Sequence, residues 1–560
     1  MNIRAALLVS ALSACAAHAA FAAPPVKAPY KIGSGNVAVI EPPVSHPDET
    51  PCVVSLYRNA QFGSSNVNFV YQPPANCPGP YSTIVLSVDV SLDAGIQYDR
   101  SGTIWIGGVP LWFGTTAEPN PNLGPSWHFE RDVTDYTSLL AGTNPGFVLI
   151  ANYTNNQDTS IITSSAKLLF YPVPNGQTAP VVPDVIVPLA ADGGGTVALN
   201  TGTDTVAIDQ ELPTNIAQAD LDVYLQGQSD DEFWYTCVPN NLAQELDSCG
   251  GGALREGEIT VDGSPAGVAP VYPWIFTGGI DPYLWAPIPG VQTLDFKPFR
   301  VPLTPFAGVL SNGNIAHQIA LSVYGADSYF SVCGALLLYL DHGGDQVTGS
   351  VTQNTLSGQP SPTLKNTITQ NQKGNIAGRL DTESLRDFVI SGTVNTSAGS
   401  EQYTVTQSGR FTNDQRFKIT NSIYEQAIKQ RTSTIVKTNL ASSSGNITQI
   451  NRYSYPLDVD YKQSPATGGD IQVVTTISQD FQDDGLFSGS GTRTMSTLED
   501  DIDTTDTLLF SGNGDFLGNE DMSSTANYAT TDNAGDCFSR TLTAANNVLT
   551  GAKTKKSCSK

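Results

Sequence analysis

The chain reads as an all-β protein built of β-sandwiches, and three observations predict it. Charged residues make up only 14% of its 560 residues, while Gly, Pro, Ser, Thr and Asn abound. Short segments that alternate apolar and polar residues recur between Gly- and Pro-containing turns. Helical periodicity is almost absent, which leaves sheet packed on sheet as the way to bury apolar faces.

In chain order, residues 1–22 form a signal peptide. Arg4 supplies the positive charge, Ala5 to Leu12 the apolar run, and Ala17-His18-Ala19 and Ala20-Phe21-Ala22 two A-x-A cleavage sites. Leu12-Ser13-Ala14-Cys15 also fits a lipobox, so the alternative to free secretion is a lipid anchor at Cys15. The run is too short to span a bilayer, no other stretch is apolar enough, and the expected location is secreted or periplasmic. The first folded block spans 45–175, with strands expected at Ile84–Leu92, Phe147–Tyr153 and Lys167–Tyr171, and a turn into a short helix over Asp132–Leu140. A Pro-rich link, Pro172 to Pro188, precedes a second block at 190–342. Its strands are expected at Leu221–Leu225, Glu258–Asp262, His317–Tyr324 and Ala335–Asp341. The third block, 345–560, has no Trp and is rich in Thr, Ser, Asn, Gln and Asp. There Phe417–Tyr424 and Asp470–Phe481 alternate as long antiparallel strands with one wet face do.

Cysteines fit an oxidising compartment. Cys52 with Cys77, Cys237 with Cys249 and Cys537 with Cys558 are the natural local pairs, which leaves Cys333 as a buried thiol in the run Val332–Leu340. The net charge of -25 argues against nucleic acid and anionic membrane surfaces as partners, and suits an acidic medium. The five histidines are scattered, G-x-S-x-G is absent, and no metal site or cofactor is expected.

All six tryptophans fall between Trp105 and Trp285. Acids cluster beside them: Asp99 and Glu118 around YDRSGTIWIGGVPLWFGTTAEP, Asp230, Asp231 and Glu232 in SDDEFWYTC, Glu256 in ALREGE, and Asp281 in TGGIDPYLW. Sugar C–H faces stack on aromatic rings, and their hydroxyls bond to acids, amides and Arg. Carboxyls also supply general acid and base catalysis. Taken singly, an acid in a β-turn is a turn former, a Trp in a sandwich is core, and an Asp99–Arg100 pair is a turn-locking ion pair. The clustering points to a carbohydrate site.

The runs YDRSGTIWIGGVPLWFGTTAEP, DDEFWY and VYPWIFTGGIDPYLWAPIPG resemble the peptide N-glycanase A family, closely over Val39 to Asp341 and more loosely in the tail. The resemblance implies metal-free, acid-active hydrolysis of the amide between Asn and the first GlcNAc of N-glycans. Asn becomes Asp and the glycan leaves as a glycosylamine. N-glycosylated proteins and glycopeptides are the implied partners. Tyr98-Asp99-Arg100, with the later Asp132–Asp135 and Ser138–Leu140, is similar to a segment of the F-type peptide N-glycanases, which have two adjacent jelly rolls. The implied architecture is therefore two jelly-roll β-sandwiches followed by a β-rich C-terminal domain.

By that similarity Asp99 is the main catalytic carboxylate. The sequence departs from the F type at Gly251–Arg255, where no Glu stands, so the second carboxyl is Glu118, Glu232 or Glu256. Arg100 beside Asp99 favours its ionised form, whereas Glu118 and Glu232, near Trp112 and Trp234, suit a proton-holding acid. Arg100 or Arg255 would meet the oxyanion. Trp105, Trp112, Asp231, Trp234, Asp281 and Trp285 complete the expected substrate-binding set. A non-catalytic glycan-binding jelly roll and a glycoside hydrolase are the competing readings.

Overall fold

The computed structural model describes residues 30–118, 122–443, 445–489, 491–533, 535 and 537–555. The leader, Cys15 and Cys558 lie outside them. Two sandwiches come first, of eight and nine strands. In the first, the strands Cys52–Gln61, Ile162–Pro172, Tyr81–Leu92 and Ser126–Asp132 lie side by side in that order. Val67–Tyr71, Asn144–Ile150, Ser101–Ile106 and Val109–Thr115 form the facing sheet. Numbered along the chain, these orders are one-eight-three-six and two-seven-four-five, two interlocked Greek keys and hence a jelly roll.

The second sandwich repeats the same order. One sheet runs Val197–Leu199, Tyr329–Leu340, Ile216–Gln228, Phe299–Pro302, with Val185–Leu189 beside Tyr329–Leu340. The other runs Val206–Gln210, His317–Tyr324, Glu256–Val261, Ser264–Pro270. The expected strands lie inside or across these elements, and the expected turn at Asp132 becomes the 3-10 turns Thr134–Tyr136 and Leu139–Ala141. Cys52–Cys77 and Cys237–Cys249 are bridged, Cys537 is disulfide-bonded, and Cys333 is a buried free thiol.

The sandwiches meet along an apolar seam. Val109–Thr115 is buried at every residue because both of its faces are covered. Val109, Leu111 and Trp112 fill the first core, while Trp105 and Phe113 enter the core of the second sandwich. The register shift opposite Ile104/Trp105 leaves Leu111 as an extra residue and reverses the alternation, so that Phe113 faces away from Val109 and Leu111. Trp112 Nε1 donates to the carbonyl of Leu294 at 2.9 Å, and Thr115 N–H to that of Thr293 at 2.8 Å. A buried ion pair, Arg131 with Asp295 at 2.8 Å, closes the same seam.

The tail is one antiparallel sheet of twelve strands. Its central strands, such as Ile376–Thr396, Gly399–Ile419 and Gly445–Pro465, are 21 residues long, roughly 70 Å at ~3.3 Å per residue. Strict alternation of buried and exposed residues along Tyr424–Ser442 shows one wet face and one dry. The dry face shares a continuous core with the second sandwich: Phe411 packs on Trp234, and Tyr455 and Phe481 on Tyr272. Asp470–Phe481 falls almost entirely within the strand Ile471–Gly489. Phe417–Tyr424 does not form one strand. It is a hairpin corner in which Ile419 pairs with Tyr424, and the apolar alternation runs across the turn because the two paired ends share a face.

Candidate active site at the seam of the two jelly rolls

The hairpin Ser101–Ile106/Val109–Thr115 turns through Gly107 and Gly108, whose φ values are +57° and +80°. Such a tight two-residue turn needs left-handed backbone, which glycine adopts without strain. Its register pairs Ser101 with Thr115, and the pairing continues past the strand ends. Thr116 N–H donates to the Arg100 carbonyl, and Arg100 N–H to Thr116 Oγ1, both at 2.9 Å. Residues 19 apart in sequence are thereby brought together, and Asp99 N–H donates to Glu118 Oε2 at 2.6 Å.

The second sandwich supplies the opposite wall. Glu232 caps the 3-10 turn Ser229–Asp231 at the end of Ile216–Gln228. Gln228 Nε2 donates to Ser101 Oγ at 3.1 Å and Thr277 Oγ1 to the Thr116 carbonyl at 2.6 Å, tying both elements to the hairpin's open end. Gly278 N–H bonds to the Asp99 carboxyl. A Cβ at Gly278 would lie 2.5 Å from Asp99 Oδ1 and 3.1 Å from Glu118 Oε2, so only glycine lets the backbone come this close.

Burial lifts all three carboxyls. Glu118 is pushed up to about 8, first by burial and then by the Asp99 charge. Glu232 is pushed up to about 7 by burial and by Asp99. Asp99 is also raised, because burial outweighs the Gly278 N–H and the Arg100 charge. This corrects the expectation that Arg100 keeps Asp99 readily ionised. Arg100 Nη2 donates instead to Gln97 Oε1 at 2.5 Å and its guanidinium sits over the Tyr98 ring, so no Asp99–Arg100 ion pair locks the turn. Arg100 Nε is buried without a partner.

Most of the expected sugar-binding residues are placed elsewhere. Trp105, Trp112, Trp234 and Trp285 are at most 3% exposed. They are core residues, because both faces of their sheets and turns are covered by another sheet. Trp105 stacks on Phe147, and Trp285 Nε1 donates to the Gly279 carbonyl. Asp231 and Arg255 form a buried ion pair at 2.7 Å. Asp231 also accepts the N–H groups of Asp327, Ser328 and Tyr329, and Arg255 donates to the carbonyls of Gly252 and Leu254. They lock a strand end, with both side chains only 1% exposed, sealed away from a substrate. Glu256 pairs with Arg386 of the tail at 2.9 Å. Asp281 caps the turn Pro282–Trp285 by accepting Tyr283 N–H, and its carboxyl bonds to Asp506 of the tail. Of the sequence candidates, Asp99, Glu118, Glu232 and Arg100 come together. Gly278, Gln97 and Gln228 join them without having been singled out; the Gly-Gly pair of TGGIDPYLW was the only signal available for Gly278.

The two jelly rolls meet at a seam where Asp99, Glu118 and Glu232 cluster, carboxyls of the kind that hydrolases use for general acid–base catalysis. Residues 42–357 match the family described as Peptide N-acetyl-beta-D-glucosaminyl asparaginase amidase A, and the chain belongs to that family. It is an enzyme of the peptide N-glycanase class. It is 27% identical to peptide-N4-(N-acetyl-beta-glucosaminyl)asparagine amidase A of Prunus dulcis, over 92% of each chain. Among solved structures it is similar to PNGase F, a glycosylasparaginase from Flavobacterium meningosepticum (12% identity, 52% of this chain and 96% of that one, TM-score 0.33). It is also similar to PNGF-II (13% identity, 52% and 65%, TM-score 0.35).

Proposed function

We propose that the enzyme hydrolyses the side-chain amide joining Asn to the proximal N-acetylglucosamine of N-glycans, at acidic pH. The intact glycan leaves as a glycosylamine and Asn becomes Asp. The observation that carries this reading is the cluster of Asp99, Glu118 and Glu232, three carboxyls brought together and each raised first by burial. Amide hydrolysis needs both forms. Asp99, as carboxylate, takes a proton from water, whose oxygen attacks the amide carbon. Arg100 Nε, buried and unpartnered, donates to the oxyanion. Glu118 or Glu232 gives its proton to the nitrogen as the C–N bond breaks. The substrates are N-glycosylated proteins and glycopeptides met outside the cytoplasm, after export directed by residues 1–22.

Mass spectrometry of a defined N-glycopeptide, incubated with enzyme at acidic and neutral pH, tests this. Peptide carrying Asp in place of the glycosylated Asn, with the whole glycan free, is the expected product, and Asp99→Asn slows its formation by about 10²–10⁴-fold. A single N-acetylglucosamine left on Asn would make the enzyme a glycosidase. An unchanged glycopeptide that is nonetheless retained would make the chain a binding module.

A further inference from the structure

The loop that brings Gly278 against Asp99 and Glu118 continues five residues to Tyr283, and there it meets the tail. The Tyr283 ring, half-buried, stacks on Phe516 with centroids 5.9 Å apart and planes 19° from parallel. Phe510 packs against Phe516 at 5.7 Å and 61°. Phe516 and the adjacent Leu517 remain 49% and 57% exposed. The turn that carries Tyr283 is fastened to the tail. Asn547 Nδ2 donates to the Tyr283 carbonyl at 2.9 Å and to that of Ala286 at 3.2 Å, and Thr504 Oγ1 donates to that of Leu284 at 3.0 Å. Asp506 meets Asp281 beneath the same turn and takes Asn519 Nδ2 at 2.8 Å.

We propose that the C-terminal sheet completes the substrate site, with Tyr283 and Phe516 forming a platform for neutral sugar units of the glycan beyond the first one. This rests on the amidase reading above. Two features choose the occupant. Aromatic faces beside carboxyls and side-chain amides match the C–H faces and hydroxyls of a sugar. The charges along its own strand are of one sign: Asp515, Glu520 and Asp521 lie near Phe516 in sequence, and the strand Phe516–Asp532 contains no Lys or Arg, which favours a neutral sugar over an anionic one. The platform and the carboxyls sit at the two ends of one short loop, so a glycan whose first sugar is at Asp99 has its outer sugars led toward Phe516.

Phe516→Ser and Phe516→Tyr, with folding checked by unchanged melting, test the platform. Each is assayed on one peptide carrying either a complete neutral N-glycan or a single N-acetylglucosamine. The expected result for Phe516→Ser is a rise of about tenfold in KM for the complete glycan, the size of one lost aromatic contact. kcat and the rate on the single-sugar substrate should be unchanged, and Phe516→Tyr should restore wild-type KM. Equal loss on both substrates, or no loss on either, overturns the platform. Should the wild type cleave neither substrate, the amidase reading fails separately. The free neutral N-glycan is then titrated by saturation-transfer NMR: binding lost in Phe516→Ser upholds the platform, and binding retained, or none to the wild type, overturns it.

Discussion

Asp99 and Glu118 are joined by a hydrogen bond from the backbone of one to the side chain of the other, Asp99 N–H to Glu118 Oε2 at 2.6 Å. The bond orients the Glu118 carboxyl without consuming that of Asp99. Each charge also disfavours the other, so the pair is suited to hold one proton and one negative charge. Asp99→Asn is expected to lower kcat by about 10²–10⁴-fold, the usual worth of a general base, with the glycopeptide still bound. Single-turnover kinetics measures this.

On the proposed mechanism, whichever of Glu118 and Glu232 is the acid sets the alkaline limb of the pH profile. Their carboxyls are raised to about 8 and about 7, so the protonated acid persists through acidic pH and is lost as pH rises past these values. kcat/KM should fall across that window. Whichever Glu is the acid, its change to Gln should lower activity and remove that limb, while Gln at the other position leaves the limb in place. A pH series of kcat/KM on both variants decides between them.

Gly278→Ala puts a Cβ where Asp99 Oδ1 now lies 2.5 Å away. One of the two must move, and displacement of a reacting group by about 1 Å costs on the order of 10²-fold in rate. The expected outcome is lost activity with little change in melting temperature, followed by assay and thermal unfolding together.

Arg255→Ala should behave in the opposite way. It leaves Asp231 buried and uncompensated, and breaking such a pair costs about 3–5 kcal/mol. A large drop in denaturant midpoint is expected, with the kcat of the remaining folded enzyme little changed. A stable variant with a raised KM would instead place Arg255 in substrate binding.

Asp281 links pH to stability. Burial and Asp506 raise its carboxyl to about 8 in the fold, whereas in an unfolded chain it titrates near ~3.9. Between those values the folded state binds more protons than the unfolded one, so stability is greatest at low pH and falls as pH rises through the window. Asp281→Asn should flatten the slope of melting temperature against pH from 4.5 to 8.5.

Local patterns revealed a good deal by themselves. Alternation marked strands in both sandwiches, and the local cysteine spacing matched the Cys52–Cys77 and Cys237–Cys249 bridges. These features follow from neighbours along the chain and from the two-residue period of a strand. Which face of a residue is covered follows from elements far away in sequence. The tryptophans read as sugar platforms because composition cannot tell an indole sealed by a second sheet from one facing a cleft. Arg255 read as a catalytic donor because its partner Asp231, 24 residues earlier, becomes its neighbour only in the fold. The tail read as a separate β-rich domain, and nothing along the chain showed that Phe411, Tyr455 and Phe481 pack into the second sandwich's core. The sequence by itself determined the all-β class, most of the expected strands in the two sandwiches and the set of acids from which the candidate carboxyls come. Tertiary structure alone decided which of them share one buried seam, because desolvation and charge coupling act through distances of a few ångströms that long-range packing sets.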